Sequence, residues 1–81
     1  MDQTQHTVTI YGKKECCLCD EAMVIIQKVA ATVPFMLEKK DITEDPELHE
    51  RFATSIPVIF VDGRQVFKYR VIERRLRELL A

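Results

Sequence analysis

From His6 to Tyr11 the residues HTVTIY are rich in β-branched and aromatic side chains, alternate in part, and stop at Gly12; this predicts a first strand. Gly12 to Glu15 is a short loop. From about Cys17 to Thr32, Cys19, Ala22, Met23, Ile26, Ala30 and Val33 recur at helical spacing, with Ile25 and Val29 widening the stripe. Asp20 and Glu21 sit in the first turn, where the helix dipole favours acids, and Pro34 ends the helix. Phe35 to Ile42 alternates weakly and predicts a second strand. A helix of this length is what a parallel crossover needs, so the three elements predict a right-handed βαβ unit.

Asp45-Pro46 is a helix start: Asp45 can cap, and Pro46 at the first helical position loses no needed hydrogen bond. Leu48 and Phe52 would face the core from a short helix ending near Thr54. Pro57 opens a third strand, Val58 to Val61, apolar enough to be covered on both faces. Asp62-Gly63 is a two-residue hairpin signal leading into Gln65 to Tyr69. Ile72, Leu76, Leu79 and Leu80 form the apolar stripe of a last helix, with Glu73–Arg77 and Arg74–Glu78 pairs on its solvent side. The predicted order is β-α-β-α-β-β-α, an α/β fold with a four-stranded mixed sheet and helices on both faces.

Composition narrows the function classes. The chain has 81 residues, 47% hydrophobic and 31% charged, with twelve basic side chains against thirteen acidic. That length supports one core, so a single domain over residues 1–81 is expected, ordered from about residue 7 to 80, as a monomer. Near-neutrality argues against a nucleic-acid or membrane-surface partner, although it conceals an acidic middle and a basic C-terminal end. No apolar run approaches the roughly 20 residues of a membrane span. Met1 to Thr9 lacks the basic start and apolar stretch of a secretory signal, so a cytoplasmic location is expected. His6 and His49 are expected to be exposed and inert.

The cysteines are what stand out. All three, Cys16, Cys17 and Cys19, lie within four positions. A disulfide-stapled domain spreads its cysteines, because a cross-link stabilises mainly by closing long loops in the unfolded chain. Cys16-Cys17-Leu18-Cys19 is instead a C-x-x-C between strand one and helix one, the spacing of a thiol–disulfide redox site. Cys16 falls at the helix N-terminus, where unpaired N–H groups and the dipole favour the nucleophilic thiolate. Cys19 is one helical turn on, within reach of a mixed disulfide formed at Cys16. Lys13 and Lys14 favour the thiolate; Glu15 and Asp20 oppose it. Cys17 reads as an exposed first-turn residue, with a reactive or regulatory role as the other reading. No metal site is expected: zinc needs four ligands, there is no second cysteine pair, and Cys17 with a distant His6 or His49 would complete one only by accident of folding.

With C-x-x-C opening helix one and Ile56-Pro57 opening strand three, the chain resembles a glutaredoxin, within the thioredoxin fold, over about residues 7 to 80. Tyr11-Gly12-Lys13-Lys14-Glu15-Cys16 is similar to the start of that family's site. The resemblance implies that Lys13 helps bind a glutathione carboxylate; a solvated loop lysine is the other reading of that residue. It implies that Pro57 is the family's cis-proline, and that the Ile56 backbone pairs with a bound peptide or glutathione as an added strand does. The Cys-x-Leu-Cys-Asp-Glu-Ala centre resembles a small bacterial glutaredoxin-like branch rather than the usual Cys-Pro-Tyr-Cys. After strand four, glutaredoxins carry a glycine pair and acids that grip the glutathione amine. Here Phe67-Lys68-Tyr69-Arg70-Val71 follows, which argues against glutathione as reductant and leaves thioredoxin reductase or another donor open.

The resemblance thus implies a thiol–disulfide oxidoreductase with no bound cofactor, acting on protein or small-molecule disulfides through Cys16 and Cys19. The alternative is a non-catalytic binding module of the same fold, holding a peptide, a metal or an iron–sulfur cluster.

Overall fold

The computed structural model describes residues 6–80; the first five residues of the polar N-terminal stretch lie outside the described residues. In chain order the elements are β1 (Thr7–Gly12), α1 (Cys17–Ala30), β2 (Met36–Asp41), a 3₁₀ turn (Ile42–Glu44), α2 (Pro46–Phe52), β3 (Val58–Val61), β4 (Arg64–Lys68) and α3 (Glu73–Leu80). The strands lie in the order β2-β1-β3-β4, with β2 parallel to β1 and the other neighbours antiparallel. This is the mixed sheet the sequence predicts.

Strand alternation sorts the core onto two sides of the sheet. On one side Val8 and Ile10 of β1 pair with Val61 and Ile59 of β3. They pack against Ala22, Ile26 and Val29 of α1 and Leu76 and Leu80 of α3. On the other side Ile42, Phe52, Ile56 and Val58 are buried with Tyr11 and Phe60. Tyr11 stacks on Phe52 at 5.1 Å between ring centroids, and Phe60 meets both edge-on. Fully burying one such large apolar side chain contributes about 1.5–3 kcal/mol, so α2 is held mainly through Phe52.

Turn chemistry fixes the rest. Asp62 and Gly63 both take left-handed backbone (φ 53° and 85°), the two-residue hairpin pattern expected of Asp-Gly. Asp62 also accepts a hydrogen bond from the Thr7 N–H at 2.9 Å and one from the His6 ring. Those two contacts, the backbone one first, hold its carboxyl below the usual aspartate range. His6 is therefore half-buried and pins the start of β1 to the hairpin, not exposed and inert. Asp45 caps α2 through the Glu47 N–H, as its place before Pro46 predicts.

Several expectations need correction. α1 ends at Ala30 rather than Thr32, and it is Val29, not Ala30, that enters the core. β1 runs one residue further than Tyr11, and α2 stops at Phe52. β2 ends at Asp41, because the Asp41 side chain caps the 3₁₀ turn through the Thr43 N–H and turns Ile42 into the core. β4 lies one residue before the expected stretch, Arg64–Lys68. Ile72 is 56% exposed and Leu79 also faces out, so α3 is anchored by Leu76 and Leu80, with Val71 preceding it. The expected Glu73–Arg77 pair forms at 3.1 Å, and Arg77 reaches on to the Thr32 hydroxyl, joining α3 to the end of α1.

Candidate active site

The end of β1, the start of α1 and the segment before β3 meet at one edge of the second core cluster. Glu15 turns the chain there, taking left-handed backbone at φ 59°. Cys16 follows as the N-cap of α1, in extended conformation. Its sulfur occupies the place a serine or aspartate oxygen usually takes, accepting the Cys19 N–H at 3.2 Å. A free helical N–H at the positive end of the dipole thus points at Cys16 Sγ, an arrangement suited to a thiolate.

The three thiols are free and sit in three different environments: Cys16 half-buried, Cys17 exposed, Cys19 buried. Burial pushes the Cys19 thiol up to about 11, and its hydrogen bond to Cys16 adds to this. The Lys13 backbone N–H, directed at the same sulfur, works the other way. Among the described residues there is no buried polar or charged side chain, so no interior acid stands by to take the Cys19 proton. Nor do three Cys, His, Asp or Glu side chains come together as a metal site would require among those residues.

Gly12, which the sequence suggests only as a strand end, is the floor of this site. A Cβ there would lie 2.8 Å from Cys19 Sγ, so only glycine lets the thiol sit against the end of β1. A cleft of about 240 Å³ opens beside it, reaching Cys19 between Lys13, Asp20, Val24 and Lys39. Lys13 is exposed and lines this cleft together with Lys39 of β2.

Ile56 is buried in the same cluster as Cys16 and Cys19, and Pro57 behind it is wholly buried. The Ile56–Pro57 peptide bond is cis. The Ile56 N–H and carbonyl take no part in a hydrogen bond among the described residues, while the Pro57 carbonyl accepts the Tyr69 N–H at 2.8 Å. The structure therefore brings Cys16, Cys19 and Ile56 into one cluster, with Lys13 lining the cleft that reaches Cys19. Tyr69 is a second residue whose part sequence reasoning missed: it has left-handed backbone (φ 73°) and its phenol donates to the Thr54 carbonyl at 3.0 Å.

The profile of the family described as "Glutaredoxin-like domain (DUF836)" matches residues 7–81. The chain belongs to this glutaredoxin-like family. Its fold is shared by solved structures of low sequence identity. A Nitrosomonas europaea protein solved by NMR superposes with a TM-score of 0.84 at 19% identity, over 100% of this chain and 98% of that one. An X-ray structure from X. campestris gives 0.74 at 26% identity, covering 90% and 93%. Thioredoxin from Fasciola hepatica gives 0.62 at 22% identity, covering 94% of this chain and 78% of its own. In this glutaredoxin-like chain the C-x-x-C occupies the β1–α1 junction and the cis bond immediately precedes β3. No helix among the described residues is long and apolar enough to cross a membrane.

Proposed function

We propose that this glutaredoxin-like chain is a thiol–disulfide oxidoreductase working through Cys16 and Cys19. The observation that carries the proposal is the sulfur cap: Cys16 Sγ accepts a helix N–H at the mouth of the site while Cys19 lies buried directly beside it. Cys16 thiolate attacks one sulfur of a substrate disulfide; the Cys16–substrate S–S bond forms, the substrate S–S bond breaks, and the first thiolate leaves and takes a proton. Cys19 then loses its proton and attacks Cys16 Sγ, forming the Cys16–Cys19 disulfide and releasing the second thiolate. Two electrons pass from the dithiol to the substrate, and an external thiol or dithiol donor returns them with two protons.

The substrate is a protein or small-molecule disulfide, and the unpaired backbone of Ile56 is suited to pairing with its chain as an added strand. Lys13 is the candidate for a substrate carboxylate. The donor is glutathione, thioredoxin reductase or another thiol system; Phe67-Lys68-Tyr69-Arg70-Val71, where glutaredoxins carry a glycine pair and acids, speaks against glutathione. A protein that works through a dithiol suits a reducing compartment such as the cytoplasm.

Cys16→Ser should abolish reduction of a disulfide substrate, and full activity in that variant would overturn the mechanism. Coupling the assay in parallel to glutathione and to thioredoxin reductase identifies the donor. A non-catalytic binding module is the second reading, favoured by the high proton affinity of Cys19. It predicts that reduced protein forms a mixed disulfide at Cys16 that is never released.

A further inference from the structure

Tyr69 stands out among the described residues. It is a bulky aromatic side chain in the left-handed region, at φ 73°. Such backbone costs an ordinary residue of order 1–3 kcal/mol and persists where surrounding contacts over-determine it. Those contacts all lead to one place. Its N–H donates to the Pro57 carbonyl at 2.8 Å and its phenol to the Thr54 carbonyl at 3.0 Å. The two acceptors bracket Ser55 and Ile56, the stretch whose Ile56 backbone is unpaired beside Cys16. Tyr69 is 43% exposed, with Lys68 Nζ 5.3 Å from its ring centre, so burial does not account for a tyrosine here.

We propose that Tyr69 is a positioning residue that straps the Thr54–Pro57 segment, holding the unpaired Ile56 backbone in place to pair with a polypeptide substrate beside Cys16. The consequence is a preference for substrates. A disulfide within a peptide gains from the strap because its backbone pairs with Ile56; a small disulfide with no peptide backbone does not. This rests on the proposed chemistry at Cys16 and adds the substrate class.

The test uses the full chain carrying Cys17→Ser and Cys19→Ser, so that Cys16 is the sole thiol and reaction stops at the mixed disulfide. Two probes share one leaving group: thionitrobenzoate disulfide-bonded either to 2-mercaptoethanol or to the central cysteine of a synthetic peptide. Attack by Cys16 on the other sulfur releases coloured thionitrobenzoate. Tyr69→Phe, which removes only the phenol hydrogen bond, should lower the ratio of peptide rate to small-probe rate about fivefold, the usual net worth of one such bond. An unchanged ratio overturns the proposal. Amide exchange tests the strap without any chemistry: in Tyr69→Phe the Ser55 N–H, bonded to the Phe52 carbonyl, should exchange several-fold faster, and unchanged exchange overturns the strap. If the parent reacts with neither probe while Ser55 exchange does rise, the chemistry at Cys16 fails and the strap stands.

Discussion

Replacing Gly12 with alanine isolates the close approach on which the Cys19 site rests. The new methyl would lie 2.8 Å from Cys19 Sγ and 3.4 Å from its Cβ. Carbon contacts are most favourable near about 3.5–4.0 Å, so the sulfur must retreat by roughly 0.7 Å or more. Cys19 is buried in the first turn of α1 and cannot swing away freely, so the start of the helix has to move with it. Overpacking of this kind costs about 1–3 kcal/mol. Gly12 is not in left-handed backbone, so alanine adds no conformational penalty, and restricting the unfolded chain returns about 0.4–1 kcal/mol. The difference is a net destabilisation of roughly 1–2 kcal/mol, a fall in Tm of several degrees at about 4–8 °C per kcal/mol for a domain of this size. The clash also requires a specific partner. In the Gly12→Ala/Cys19→Ala double variant the 2.8 Å contact is gone, so the two losses should fall short of their sum by about 1 kcal/mol. Thermal unfolding of the four proteins gives the cycle. A Gly12→Ala protein as stable as wild type, or strictly additive losses, would refute the reasoning.

The remaining predictions concern the buried thiol and the aromatic cluster. Because the folded state holds the Cys19 proton up to about 11 against an ordinary value near 9, the folded chain binds more protons than the unfolded one between those limits. Stability contributed by this thiol is therefore full below pH 9 and is lost as pH rises towards 11; a wild-type and Cys19→Ala pair with the same slope of stability against pH in that window would contradict it. Phe52→Ala empties the centre of the Tyr11–Phe52–Phe60 cluster and should cost about 3–5 kcal/mol by denaturant unfolding, whereas a loss under 1 kcal/mol would mean that α2 is held by something else.

How much of this was legible in the sequence follows from how local each feature is. β3 declared itself because four consecutive apolar residues suit a strand covered on both faces, and Val58, Ile59 and Val61 are indeed buried. β2 was read only weakly, and the structure gives the reason: an edge strand exposed along Met36 to Lys40, it is held by parallel backbone pairing to β1 more than by side chains. The error at Ala30 arose because a widened stripe at the end of α1 admitted either neighbour, and packing against β1 and α3 selected Val29. The thiol site was legible for the same reason of locality. An N-cap and the third helical position are three residues apart in any helix, so C-x-x-C alone places one sulfur under the other residue's N–H.

What the sequence could not disclose are the contacts made across the fold. That Gly12 must be glycine depends on where Cys19, seven residues later in α1, lands. That Tyr69 holds Thr54 depends on a turn fifteen residues away in the chain. Strand four and its turn gave one usable signal: bulky, basic residues in place of the glycines that the resemblance leads one to expect. Seen in sequence, that substitution reads only as a lost glutathione contact. Placed in the fold, Tyr69 adopts the left-handed backbone that glycine would take without strain and adds a hydrogen bond glycine could not make. If the proposed strap holds, this departure from the glutaredoxin pattern is where the chain's own specificity is to be sought.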